Sequence, residues 1–423
     1  MSSTIILKNN ENVTFVMNPS ITYFKSVFRR HTKFTISYKE EYPTSDNADF
    51  KGNNDSINID LNYYGDLLCD ISLKVLINET NSYAPNFKWS NDLPLYLIKN
   101  ITLFMIGPNI EIDKLDKDYI NFNAMLNNPK SNNSTYNLVS GKLTCNDGNN
   151  FQNMALCGGV INNNNNAYSI IDMNAIIPLP FAFSKSIGNA IPLCALNTTN
   201  TKPQIIITRE NKDIIKFHTS NDTNDNIIGL FKFSVISKYI FLSDEEKLRF
   251  KNSKQEYLYE RVNILNSGSA FTSVSNNNGS LNINGFSTNH PIKQIYLYNQ
   301  TGTEEDVPKF NKLKYNLSIN GNKLFSSFFN HEFFSKVEIL NKFKGCIYNG
   351  INGSNTVVDN NIALIDFSLK NSDGPSGCIS PNINNIDLNI KNDSTDNKYN
   401  TKVFVVCYYF LTISNETISY MFE

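Results

Sequence analysis

Apolar residues recur at every second position through much of this chain. Ile57, Ile59 and Leu61 alternate with Asn58, Asp60 and Asn62. Ile71, Leu73, Val75 and Ile77 present one apolar face beside Ser72 and Lys74. The same period returns at Tyr315-Leu317-Ile319 and at Ile386-Leu388-Ile390. A two-residue period places alternate side chains on opposite faces of a β-strand, so these segments read as half-buried strands. Asn284-Gly285, Asn320-Gly321, Asn349-Gly350, Asn352-Gly353 and Asp373-Gly374 follow or separate such runs. These dipeptides tolerate the positive φ of tight hairpins. Many short strands punctuated by turn signals predict an all-β sandwich or barrel.

One run breaks the alternation. Phe404 to Leu411 is apolar at every position. A sheet in a sandwich normally shows one face to water, so this strand requires a second covering layer, from a neighbouring domain or a neighbouring subunit. Helices are few. Ser243-Asp244-Glu245-Glu246 has the form of a capping box, with acids in the first turn, and predicts a helix to about Asn252. The segment 198–229 is polar apart from a strand-like Gln204 to Thr208. It sets the expected boundary: an arm over 1–30, a first domain over 31–212, a linker over 213–230 and a second domain over 231–423. The polar stretches 130–166 and 267–282 are expected to be exposed loops.

At 423 residues the chain suits two domains and needs no disulfide or metal staple. Asn is about one residue in six, spread among strand-like runs, with one tract at Asn162 to Asn166. An AT-rich coding sequence explains this better than a prion-like or sugar-bearing surface. The formal net charge of −1 and the absence of a basic arm argue against direct contact with nucleic acid. The seven Cys are widely spaced and form no C-x-x-C, as expected of free thiols in a reducing compartment. No apolar run reaches the length of a membrane helix, and the opening residues do not form a signal peptide, so a soluble, cytosolically made protein is expected. Phosphate-binding glycine loops, zinc signatures and nucleophile elbows are missing, and the four His lie far apart. No catalytic residue, cofactor or metal is therefore expected.

Segment 18–36 carries the most specific signal. It reads Asn18-Pro19-Ser20-Ile21-Thr22-Tyr23-Phe24-Lys25, then Phe28-Arg29-Arg30-His31-Thr32. It closely resembles the N-terminal signature of the major capsid proteins of nucleocytoplasmic large DNA viruses. Matching stretches follow in the same order: Gly65-Asp66-Leu67, Pro178-Leu179-Pro180-Phe181, His290-Pro291-Ile292-Lys293, Pro375-Ser376-Gly377 and the final 403–413 strand. Ala182 departs from the family, which often has Trp nearby, and Pro381 to Asn384 replace its usual F-S-R stretch.

The resemblance implies two consecutive eight-stranded antiparallel jelly rolls with a few short helices in the connections. It implies a homotrimer of pseudo-hexagonal outline that tiles an icosahedral shell, usually over an internal viral membrane, beside minor capsid and penton proteins. Synthesis and assembly in the host cytoplasm are part of the same expectation. It also makes Asn18, Pro19, Phe24, Phe28, Arg29, Arg30 and His31 candidate assembly residues at the capsid's inner side. The alternative for these residues is plain packing of Phe24 and Phe28, with ordinary salt bridges from the arginines. Competing functions are a scaffold or penton-type relative, a jelly-roll glycan-active enzyme, or a lectin.

Overall fold

The computed structural model describes residues 30–43, 56–77, 97–127, 173–210, 231–265, 272–275, 279–284, 288–301, 310–343, 361–369, 375–394 and 399–421. A few short pieces between them are also described: 24, 88–89, 95, 160–161, 167–168, 215–217 and 286.

The first half is built on β1 (Phe34–Glu41), β2 (Ser56–Asp60), β3 (Leu67–Ile77), β4 (Ile98–Ile106), β5 (Ile110–Asp116), β6 (Met173–Pro178), β7 (Lys202–Arg209) and β8 (Phe231–Leu242). The second is built on β9 (Gln255–Ile264), β10 (Gly279–Asn284), β11 (Ile292–Thr301), β12 (Leu313–Ile319), β13 (Asn322–Lys323), β14 (Ile362–Asp366), β15 (Ile386–Asn392) and β16 (Tyr399–Ser414), with β17 (Thr417–Met421) folding back on β16. Helix α1 (Lys117–Asn127) follows β5, α2 (Asp244–Asn252) joins the halves, and α3 (Glu338–Lys342) continues a π-helical turn at Phe333–Val337.

All ladders among these strands are antiparallel. In the first half they run β1-β8-β3-β6 and β2-β7-β4-β5. In the second half they run β9-β16-β11-β14 and β10-β15-β12-β13. Adding eight to every strand number of the first half gives the second, so one double-sheet topology occurs twice. The last strand of each half returns to lie beside its first, the long-range closure that defines a jelly roll.

The alternating residues close the core as expected. Ile57 and Ile59 of β2 face Ile207 and Ile205 of β7, which in turn face Ile101 and Leu103 of β4. All six are buried, as are Ile71, Leu73 and Val75 opposite them in the other sheet. In the second half Ile386, Leu388 and Ile390 repeat the pattern. Among the described residues, buried apolar side chains of both halves form one continuous cluster, and Leu67, Cys69, Ala190 and Ile240 make a small separate one.

Two turns show why particular residues stand where they do. Asn320 and Gly321 both take positive φ (52° and 77°) and turn β12 directly into β13, as the Asn-Gly dipeptide predicts. Gly107 (φ 102°) opens the turn between β4 and β5. A Cβ there would lie 1.7 Å from the Asn200 carbonyl oxygen. We expect Gly107→Ala to lower stability by about 1–3 kcal/mol, because it combines an unfavourable backbone conformation with a clash against main chain. The shift in the urea midpoint measures it, and a variant as stable as the parent would refute this account.

Three expectations need correction. The strand 231–242 does not open the second half. It is β8, paired with β1 on one side and β3 on the other. A polar stretch before a strand marks a connection, and here the connection lies within a roll whose final strand returns to its first. The passage between the two sheet systems is α2, not 213–230. The helix itself spans Asp244–Asn252 as predicted, but Ser243 makes no side-chain cap. The first bonds are instead main-chain donations from Glu246 and Lys247 to the Ser243 carbonyl. Finally, the stretch 267–282 is not a plain loop: Thr272–Val274 pairs with β16, and β10 begins at Gly279.

Candidate functional site

The doubly apolar strand found in the sequence is β16, and the first half packs on it at Lys402 and Phe404, while Phe410 is 43% exposed. Phe404, on the face turned away from its own roll, meets α1: its ring lies 5.3 Å from Phe122 and 6.2 Å from Tyr119. Phe122 also packs on Tyr296 at 5.2 Å and Tyr298 at 6.0 Å, both from β11. The helix delivers these rings because Tyr119 and Phe122 are three residues apart and share one side of it.

Charged groups line the same seam. Lys402, only 2% exposed, donates to both Asp116 oxygens at 2.8 Å and to Asp118 Oδ2 at 2.9 Å. Burial and the neighbouring Asp118 charge hold the Asp116 carboxyl above its ordinary range. Burial opposes the Lys402 ammonium, but the two carboxylates outweigh it and raise its pKa. At the other end of the seam, Arg261 of β9 reaches Glu111 at 2.8 Å. Its guanidinium lies 4.7 Å from the centre of the Tyr409 ring and 5.2 Å from that of Tyr420. Asp113, itself buried, accepts from the Ala182 amide at 2.8 Å and lies 3.7 Å from the Arg261 Nε; burial pushes its carboxyl up. Tyr420 donates to the Ile112 carbonyl at 2.5 Å, and Tyr259 to the Asn189 carbonyl at 2.8 Å. Glu260 takes both Lys185 and Lys293. Burial pushes its carboxyl up, but the two cations outweigh that and lower it.

These groups bridge the two halves; they do not converge on a space for a substrate. A cleft of about 720 Å³ lies elsewhere, between α2, the 193–198 connection and the Asn415-Glu416 turn. Its carboxylates are Asp66, Asp244 and Glu416, and Asp66 is paired with Lys247 at 3.2 Å. The carboxyls raised by burial (Glu41, Asp70, Asp113, Asp116 and Glu338) all lie outside it. Among the described residues no group of His, Cys, Asp and Glu is arranged to hold a metal, and no helix is long and apolar enough to cross a membrane. His331 is buried inside the second roll, 2.9 Å from the Tyr315 hydroxyl, so it serves the core.

Of the assembly residues named from the sequence, Asn18, Pro19, Phe28 and Arg29 lie outside the described residues. Phe24 stands in a turn, fully exposed, and Arg30 and His31 are exposed ahead of β1. The His31 ring lies 5.7 Å from Phe34. The structure does not gather these three with the seam. Sequence reasoning missed the seam's ion pairs, although one signal was present: a lysine at 402, directly ahead of an unbroken apolar run, has to find a counter-charge where the strand is buried.

Comparison with known proteins agrees with this geometry. A family model described as the major capsid protein N-terminus matches residues 22–243, ending one residue past β8. The major capsid protein of Pyramimonas orientalis virus is 24% identical over 413 residues, covering 94% of this chain and 92% of that protein. Capsid protein 1 of Acanthamoeba polyphaga mimivirus is 25% identical over 69% of this chain, which spans about half (47%) of that longer protein. Among solved structures, PBCV-1 VP54, fitted into a reconstruction of the virophage Sputnik, superposes with a TM-score of 0.68 at 18% identity, covering 95% of this chain and all of that one. The Faustovirus major capsid protein gives 0.60 at 11% identity, covering 93% of each chain.

Proposed function

The chain belongs to the major capsid protein family, and from that premise we propose that three copies close a pseudo-hexagonal ring and that such rings tile an icosahedral viral shell. Its role is structural. The repeated strand order carries this reading: a chain that supplies two wedges of the same topology gives a six-sided outline from three copies. The seam supports it further, because ion pairs and packed rings lock the two wedges at one angle.

The partners in this reading are further copies, minor capsid and penton proteins, and the surface of an internal viral membrane, after synthesis in host cytoplasm. The segment before β1, with Asn18, Pro19, Phe24, Phe28, Arg29, Arg30 and His31, acts as an arm that contacts neighbouring rings. The exposure of Phe24, Arg30 and His31 supports this.

Mass measurement of the purified full chain tests the ring. We expect three times the 48.0 kDa chain mass at micromolar concentration. A stable monomer would count decisively against the proposal. In the same measurement, replacing Arg29 and Arg30 by Ala should leave the ring mass unchanged and weaken association between rings, read by light scattering. Loss of the ring itself would instead assign these arginines to the subunit's own packing.

A further inference from the structure

The cleft beside α2 takes no part in the seam, and it stands where the first residues of the chain leave the subunit. Phe34, the first residue of β1, is paired with Leu242 of β8. The Leu242 amide donates to Asp66 Oδ2 at 2.8 Å, and Asp66 lines the cleft. Arg30, His31, Thr32 and Lys33, directly ahead of β1, are exposed. Residues 1–29, apart from Phe24, lie outside the described part of the chain.

The cleft has the make-up of a socket for a peptide. One side of α2 lines it, with Asp244, Lys247, Leu248 and Lys251 at helical spacing. Leu193 and Leu196 add apolar wall, and Leu248 is left 57% exposed. Lys247 is held by Asp66 at 3.2 Å and reaches Asp244 only at 4.0 Å. Asp244, with its side chain 99% exposed, and Glu416 therefore bring spare negative charge, which Lys251 offsets in part. Glu416 takes a φ of 61°, a conformation that glycine adopts at lower cost, yet the turn keeps a glutamate there.

The segment ahead of β1 is the complement of this cleft. Asn18 to Lys33 carries Lys25, Arg29, Arg30 and Lys33 and no carboxylate, while Tyr23, Phe24, Val27 and Phe28 offer apolar surface. Extended, the segment spans about 50 Å, against a radius of gyration of about 22 Å for a compact chain of this length. It is long enough to enter another subunit. In its own subunit Phe24 is fully exposed and lies outside the cleft.

We propose that the cleft is the socket for segment 18–33 of a chain in a neighbouring ring, with an aromatic side chain of the segment on Leu248 and its arginines toward Asp244 and Glu416. This inference rests on the arm reading above and specifies where the arm lands.

A labelled peptide of residues 18–33, added to the full-length protein and followed by fluorescence anisotropy, tests it. The peptide should bind saturably, and where rings associate it should lower their light scattering by displacing the arms. Leu248→Asp should weaken peptide binding at least about tenfold, because it sets a carboxylate against an apolar contact. The position is exposed, so the melting curve should be little changed. Charge exchange gives the decisive result. Asp244→Lys with Glu416→Lys should weaken binding of the parent peptide about tenfold, and a peptide carrying Arg29→Glu and Arg30→Glu should recover it. A parent protein that does not bind the peptide, or variants that bind it as the parent does, would overturn the socket. A parent chain that is monomeric would instead defeat the ring reading itself.

Discussion

Lys402→Met should lower the stability of the folded chain by about 3–5 kcal/mol, the scale observed when one member of a buried ion pair is removed. The substitution keeps most of the volume of the lysine stem, so the loss measures charge and not a cavity. It leaves Asp116 and Asp118 facing each other without a cation at a site where Lys402 is 2% exposed. The pH dependence has a definite sign. In the parent chain the Asp116 carboxyl already lies above its ordinary 3.8, through burial and the Asp118 charge. Without the ammonium it rises further. A carboxyl raised in the folded state binds its proton more tightly there than in the unfolded chain. Stability is therefore lost as pH rises through the window between 3.8 and the folded value, and regained on acidification. Glu260 behaves oppositely: Lys185 and Lys293 lower its carboxyl, so its contribution is present above the unfolded value and is lost as pH falls through the folded one. Urea titrations of parent and variant at pH 7 and pH 5 should thus show the gap between them narrowing at pH 5. Adding Asp116→Asn and Asp118→Asn to the variant should restore much of the loss at pH 7. A gap below about 1 kcal/mol, or one that does not shrink with acid, would show that the triad is not a coupled buried unit.

Local pattern and tertiary partner were legible to different degrees, for a physical reason. The alternation at Ile57-Ile59 or Ile386-Leu388-Ile390 marks which face is buried, because a strand's period is a property of its own backbone. The unbroken apolar run at 404–411 even showed that a second layer was required, and α1 proved to supply part of it, at Phe404. Which strand lies beside which is decided by contacts hundreds of residues apart. The Phe231–Leu242 segment looked like the start of a new domain because a polar stretch precedes it, yet its partners are β1 and β3. The repeated strand order was hidden for the same reason. A sandwich requires only apolar inward faces of suitable volume, and many unrelated sequences satisfy that. The turn at Asn415-Glu416 escaped notice because Glu416, with φ of 61°, is an unusual occupant of that conformation. Of the assembly residues, the motif 18–36 indicated the family, while the exposure of Phe24, Arg30 and His31 is a tertiary property that the motif does not carry.

Phe122→Ala should produce a loss of similar size, about 3–5 kcal/mol, by another route. The ring is buried and stands within 5.1–6.0 Å of Tyr119, Tyr296, Tyr298 and Phe404. Its neighbours come from a helix and from two strands of the other roll, all fixed by their own ladders, so they collapse poorly into the space left behind. A cavity that cannot close gives the upper part of the range for aromatic truncation. The damage should be local: amide hydrogen exchange should accelerate in α1 and at the facing ends of β11 and β16, while β2, β4 and β7 keep their protection. Phe122→Leu, which keeps an apolar side chain in the same place, should recover part of the loss. The seam fixes the angle between the two wedges, so the Ala variant should also form rings less readily than its stability alone would require. Mass measurement at a urea concentration where both chains remain folded separates the two effects. A stability loss below about 1 kcal/mol, or faster exchange spread evenly over both rolls, would mean that this ring is not what holds the halves together.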